Sequence, residues 1–348
     1  MVEDKEEGKG GLAASEAMYF STRVSEKGNP KLLYDLIRNQ ILLGASCVWT
    51  LSVIDPQTDP TYFATTSFDP SLFPLLLGAI CSAPLVAAGY AISRSESRTW
   101  VDINSATSQL ALRLFGGKKA LATVAVTSSI LGLITGAAEE LSFRGLGMPL
   151  IADRIGLDFS SPSGLAAALL ISSVTFGLGH WSWGGENRDN FVTCALQSCT
   201  GLYLGTTFVV AGGNVVVPGV AHAIYDAFTL LEAHVSAVSQ IEYANEKSAA
   251  SRLQDAVTST LDEAVVENAR NIFFLADTTR DTRLSIAEVR AAIRQLGSLI
   301  SEEDLADIFA QSDSDGDGLL DLNDFFIFVA LLKDTKTDLL PEQSSILW

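Results

Sequence analysis

Histidine and cysteine are scarce in this chain, with three His and four Cys among 348 residues. The cysteines (Cys47, Cys81, Cys194 and Cys199) form no CxxC pair and no other metal-ligand spacing, which excludes a disulfide scaffold and a zinc-finger class. All four lie in apolar stretches and read as small buried hydrophobes. Charge is sparse as well: Asp, Glu, Lys and Arg make up 18%, against about 25% in ordinary soluble domains. Basic charge is the most depleted, with 23 Lys+Arg against 41 Asp+Glu and a net charge of -18. That excludes nucleic-acid binding, which needs a basic surface. The stretch from Met1 to Lys31 has no basic start leading into an apolar core. Its acidic residues Glu3, Asp4, Glu6 and Glu7 are wrong for an organelle presequence, and no cleavable secretory signal is expected.

What is present is unevenly placed. Hydrophobic residues make up 48% and mean hydropathy is +0.27. The last 112 residues hold 21 acidic against 9 basic side chains, and the first 236 hold 20 against 14. The long apolar runs all lie in the first part. Six segments are long and apolar enough to read as membrane spans: about 41–54, 73–92, 121–150, 164–180, 191–211 and 215–231. Gly, Ala, Ser and Thr are abundant in them, which suits close helix packing in lipid. Basic residues cluster in the N-terminal stretch and in the loop between the second and third spans. The positive-inside tendency puts those segments on the cytosolic or equivalent side, and six crossings return the acidic tail to it. The stretch Arg98–Phe115 has the pattern of an amphipathic surface helix.

Few ionisable groups fall inside the spans, and each is costly there unless it has a role. They are Glu139, Glu140, Arg144, His180, His222 and Asp226. Glu140 and Arg144, Phe176 and His180, and His222 and Asp226 are each four apart, so on a helix each pair shares a face. Glu140 and Arg144 can neutralise each other. Asp226 can accept from His222 and set its tautomer. Glu139, His180 and His222 then face a shared polar cavity. A carboxylate and an imidazole about one water can make it a nucleophile, and a second imidazole can stabilise the oxyanion. Alternatively, two Glu and two His bind a divalent metal, with Zn2+ favoured by the imidazoles. Either arrangement hydrolyses amides. A span starting at Leu121 puts Glu139 about 27 Å along its axis, so the third helix must be long, running to about Ile151. His234, at the end of the last span, has no patterned partner and reads as interfacial.

The ordered motifs E-E-x-x-x-R (Glu139, Glu140, Arg144), F-x-x-x-H (Phe176, His180) and H-x-x-x-D (His222, Asp226) resemble the CAAX-prenyl-protease and bacteriocin-processing intramembrane protease family, also called the Abi family. The stretch from Gly201 to Asp226 is similar to that family between its last two motifs, and the resemblance covers about Lys118 to His234. It implies Glu139 as the water-activating base working with His180, His222 with Asp226 as oxyanion or metal ligands, and Glu140 and Arg144 in support. Asp226 stands where many members have Asn; an acid there weakens a pure donor role and favours metal binding.

The tail carries two twelve-residue windows of the EF-hand type, in which alternate oxygens converge on one Ca2+. The second has Asp313, Asp315 and Asp317 at positions 1, 3 and 5, Gly318 at 6, Leu319 at 7, Asp321 at 9 and Asp324 at 12. Asp324 is one methylene shorter than the usual Glu, so weaker Ca2+ binding or better Mg2+ tolerance is expected. The first window has Asp277, Thr279, Asp281, Arg283 and Glu288 at the corresponding ligand positions, with Thr282 in place of the turn Gly. Ser301 to Asp304 resembles a capping box.

The expected architecture is all-α: a polytopic transmembrane bundle of about six spans plus a soluble EF-hand domain. Its divisions are a polar segment 1–38, a protease-like domain 39–235, a linker 236–261, an EF-hand pair 262–335 and a tail 336–348. The expected function is an intramembrane metallo- or glutamate endopeptidase acting on a protein or peptide, prenylated or not, and regulated by calcium. The alternative is a non-catalytic membrane scaffold recruiting partners through the tail. A plastid or endoplasmic-reticulum membrane is the expected location.

Overall fold

Apolar runs rich in helix formers and broken by Gly, Pro, Asn and Asp dictate helices separated by short turns. In the computed structural model, described over residues 27–53, 66–95, 97–181, 187–251, 263–295 and 300–334, that is what forms. The polar segment before residue 27, the final residues from 335 and the second half of the expected linker lie outside the described residues. The helices are α1 (Pro30–Val53), α2 (Leu72–Ser93), α3 (Arg98–Phe115), α4 (Leu121–Glu140), α5 (Met148–Arg154), α6 (Pro162–Leu178), α7 (Asn187–Val210), α8 (Val216–Ser251), α9 (Glu263–Ala276), α10 (Ile286–Gln295), α11 (Glu302–Ser312) and α12 (Leu322–Asp334). The chain is all-α: among the described residues two isolated bridges, Ser67 with Asn214 and Leu284 with Leu320, are the only β pairings.

Two stretches, Leu72–Ser93 and Leu121–Arg154, are long and apolar enough to cross a membrane. The second is one rod made of α4, a π-helical segment Leu141–Gly147 and α5, so the third apolar run is as long as Glu139 requires. α6 has only 17 residues, and α1, α7 and α8 carry polar or charged side chains along their length.

α8 is the spine of the apolar part, packing along α4, α2 and α3, while α6 packs on α7 and α1 on α4. Small residues set the closest crossing. A Cβ added at Gly132 would lie 2.5 Å from the Ala223 carbonyl oxygen, and one at Gly136 2.7 Å from that of Gly219. With hydrogen there instead, the α4 and α8 backbones meet. Asn214 starts α8 and anchors the segment before α2: its Oδ1 accepts from Val216 N and Asp69 N, and its Nδ2 donates to the Asp69 carbonyl. Large apolar side chains point outward along the bundle, among them Trp49 at 68% exposure, Phe73 at 74% and Val210 at 79%. An outer apolar belt of this size fits a lipid surface.

α8 does not stop where the apolar bundle ends. It continues through the first half of the expected linker to Ser251, and α9 packs against that extension while α10 rests on α3. α9 to α12 close around their own core of Phe273, Phe274, Phe325, Phe328, Leu305 and Leu320. Ser301 Oγ accepts from Asp304 N, the N-cap half of the expected capping box at the start of α11, and donates to Asp304 Oδ2.

Candidate functional site

The buried ion pair is the floor of the site. Glu140 ends α4, and Arg144 lies in the middle of the π segment. Both are essentially without solvent contact, and Arg144 Nη1 donates to Glu140 Oε1 at 2.8 Å. A guanidinium buried this deeply needs every donor placed. Its Nη2 donates to the Gly201 carbonyl at 2.8 Å, and its Cζ lies 4.6 Å over the Phe176 ring, a cation–π contact. Gly201 leaves room for this: a Cβ there would sit 3.3 Å from Nη2 and 3.1 Å from the Phe176 ring. The π segment belongs to the same construction, since its wider turn re-aims side chains and commonly marks functional helices. Phe143 O in this segment accepts the Ser172 hydroxyl, and Gly145 O that of Thr66.

His222, one turn into α8 past the Gly136 crossing, completes the buried set. Its Nδ1 donates to Glu140 Oε1 at 2.8 Å. Its Nε2 lies 3.6 Å from Asp226 Oδ2 and 4.0 Å from Glu139 Oε2. The expected Asp226 acceptor is thus replaced by Glu140, because the close α4–α8 crossing brings that carboxylate nearer than the next turn of the helix itself. Asp226 faces the other ring nitrogen. Glu140 Oε2 is buried with no hydrogen-bond partner.

Glu139 is more accessible than Glu140, with 13% of its side chain exposed. It is held from outside the expected set: Gln40 of α1 donates its Nε2 to Glu139 Oε1 at 2.8 Å. The other atom of that amide, Gln40 Oε1, is buried and unpartnered. A lone Gln in an apolar helix carries no motif, so sequence reasoning passes over it.

His180 stands apart. It is exposed just past the end of α6, and its Nδ1 donates to the Phe176 carbonyl at 2.9 Å. The Phe176 ring lies between the two imidazoles, with centroids 5.0 Å from His180 and 6.0 Å from His222. Glu139, Glu140, Arg144, His222 and Asp226 therefore come together, and His180 joins them across one aromatic ring. For Zn2+ the donor set fits poorly: among the described residues, three ligand atoms converge only at Asp313, Asp315 and Asp317 of the tail. His234 is not interfacial. It is buried, donates Nε2 to Gly116 O at 3.0 Å and packs edge-on to Phe115.

In the tail, Asp313, Asp315 and Asp317 hold carboxylate oxygens within 4.8 Å of one another. Gly316 and Gly318 take the left-handed backbone that the tight turn demands. Asp324 accepts from Ser314 N and its hydroxyl and from Asp321 N, while Asp321 Oδ1 accepts from Asp324 N. This set fits a hard divalent cation, with the Leu319 carbonyl available at position 7. In the first window Glu288 accepts from Thr278 and Ser285, and Asp277 is fully buried. Burial pushes the Asp277 carboxyl up from the usual range, and Tyr243, which donates to it, is pushed up to about 12 by burial and by that bond. The phenol is thus a neutral donor at physiological pH.

Comparison with known proteins agrees with both parts. Residues 121–228 match the family model of type II CAAX prenyl endopeptidase Rce1-like domains, and residues 266–330 match that of the EF-hand domain pair. The chain carries an Rce1-like CAAX prenyl endopeptidase domain joined to an EF-hand pair. The Rce1-like match spans α4 to α8 and contains every member of the buried set; Gln40 lies outside it. Among curated proteins, the chain is 36% identical over 58 residues to Calcium-binding protein CML39 of Arabidopsis thaliana, covering 17% of this chain and 36% of that protein. It is 38% identical over 68 residues to Polcalcin Cyn d 7 of Cynodon dactylon, covering 18% and 84%. It is 31% identical over 86 residues to Troponin C, isoform 2, of Caenorhabditis elegans, covering 25% and 52%. The chain thus spans about a third of the first of these relatives and half of the troponin. No solved structure matches.

Proposed function

We propose that this chain is an intramembrane endopeptidase of the CAAX prenyl protease type, acting through a Glu-activated water and governed by Ca2+ at its tail. The observation that carries the reading is the placement of Glu139 4.0 Å from the buried His222, within an Rce1-like domain. Glu139 takes a proton from water while the water oxygen bonds to the scissile carbonyl carbon. Gln40 occupies Oε1, so Oε2, on the His222 side, is the oxygen that receives the proton. His222 is oriented by Glu140 through Nδ1 and turns Nε2 toward Glu139 and Asp226, where, carrying its proton, it meets the oxyanion. Asp226 aligns that edge of the ring. The intermediate collapses by breaking the C–N bond, and the proton held on Glu139 passes to the leaving amine. His180, exposed beyond Phe176, works at the mouth of the site.

In this reading α1, α2, the α4–α5 rod, α6, α7 and the first half of α8 make six crossings, and the protease part spans 39–235. The EF-hand tail sits on the side of the N-terminus, in the cytosol or its equivalent, and the membrane is a plastid or endoplasmic-reticulum one. The substrate is a peptide with a prenylated C-terminus.

Purified protein in detergent, given matched prenylated and unprenylated CAAX peptides, tests this. Glu139→Gln is expected to lower kcat by at least about 100-fold, the range for losing a general base. Wild-type turnover in that variant would sink the enzyme reading and favour a scaffold. Equal cleavage of both peptides would remove the prenyl specificity alone.

A further inference from the structure

The two loops of the EF-hand pair have different surroundings. The second is open: Asp315 and Asp317 are exposed. The first is covered by the extension of α8. Tyr243 donates to Asp277 Oδ2 at 2.9 Å. One turn earlier, Gln240 donates its amide to the carbonyls of Phe274 and Asp277, at 2.8 and 2.5 Å. Arg280 reaches back from the loop to Ser239 Oγ at 2.9 Å and lies 5.3 Å over the Tyr243 ring. Ala244, on the same helix face, is buried in the core formed by Phe273 and Phe274.

The first loop also departs from a cation loop at its most demanding positions. Thr282 holds the left-handed turn at φ 68° where Gly would cost nothing, Arg280 is left-handed too, and position 3 offers only the Thr279 hydroxyl. Yet it is firmly tied to the second loop. Leu284 and Leu320 exchange backbone hydrogen bonds at 2.8 and 2.9 Å, and Arg283 pairs with Asp317, a ligand position of the second loop.

We propose that the first EF-hand loop is the docking site for the α8 segment around Gln240 and Tyr243, and that Ca2+ binds in the second loop alone. The pair thus takes a helix of its own chain as its target, a built-in form of helix capture. The calcium half of this assignment rests on the calcium reading above. A cation in the second loop claims Asp317 and frees Arg283, and the Leu284–Leu320 bridge carries the change to the docked loop. From there α8 runs without a break to Asp226 and His222.

Two measurements on the full chain in detergent test this. Calorimetric titration with Ca2+ is expected to give one ion per chain, lost in Asp315→Ala and kept in Asp281→Ala, which removes a first-loop ligand oxygen that bonds only within its own loop, to Arg283 N. Two ions per chain, one of them lost in Asp281→Ala, would overturn the assignment. Amide hydrogen exchange of Ca2+-free protein reads the dock itself. Combined Gln240→Ala and Tyr243→Phe is expected to speed exchange in the first loop and around residue 243 by tenfold or more; unchanged exchange overturns the dock. Neither readout uses proteolysis, so a failed cleavage assay beside these results sinks only the protease reading. A count of zero ions with faster exchange in the double variant supports the first loop as a dock and sinks calcium sensing.

Discussion

Gln40 and Glu139 are 99 positions apart in the chain and joined by one hydrogen bond. A bond from a neutral amide to a carboxylate is worth about 1.5–3 kcal/mol, and it fixes which carboxylate oxygen is free. Gln40→Ala is therefore expected to lower kcat about 10-fold or more with little change in KM, because the bond positions the base rather than binding peptide. Steady-state kinetics on the peptide substrate checks this, and a rise in KM alone would reassign Gln40 to substrate binding. The rest of the set was legible in the sequence for a physical reason. Carboxylates and imidazoles inside apolar runs are expensive, so their presence alone singled out Glu139, Glu140, Arg144, His222 and Asp226. Gln40 is uncharged and carries no such cost signal. Helical spacing places Asp226 beside His222, at 3.6 Å from Nε2, but speaks only of contacts within one helix, whereas the closer partner, Glu140 on Nδ1, reaches it from another.

Between helices, the decisive contact has no side chain at all. Gly136 brings α4 onto α8 at the level of Gly219 and Ala223, one turn before Glu140 on one helix and His222 on the other. Gly136→Ala pushes a methyl to 2.7 Å from a backbone oxygen and 2.9 Å from a backbone nitrogen, which no rotamer relieves. Overpacking of this kind costs about 1–3 kcal/mol. The variant is expected to lower Tm by several degrees and activity more than the Tm shift explains, since the Glu140–His222 bond is displaced. Thermal unfolding measured beside peptide cleavage separates the two effects. Element type followed from apolar patterning, as α3, expected and found at Arg98–Phe115, shows. The π segment did not: seven residues with one shifted hydrogen-bond offset leave no period to detect, and Gly145 and Gly147 are compatible with several backbones.

At the scale of the molecule, charge and apolarity are segregated, and the six crossings proposed above would reconcile them. Among the described residues two stretches are long and apolar enough to cross a membrane; α6 is short, and α1, α7 and α8 carry polar or charged side chains along their length. Single-cysteine labelling in a cysteine-free background decides the topology. Lys118→Cys and Ser314→Cys are expected to react from the same side of sealed vesicles, and Asp69→Cys from the other. Reaction of Ser314→Cys together with Asp69→Cys would mean an odd number of crossings before the tail.

α8 is 36 residues of uninterrupted helix. From His222 to Tyr243 it spans roughly 30 Å and about six turns, which leaves the two side chains within about 60° of one face. Their angular relation is stored in the number of residues between them and not in their identity. The intervening surface can drift through many substitutions without harm. A single inserted or deleted residue, however, rotates one end against the other by about 100°, so this stretch tolerates changes of letter but not of length.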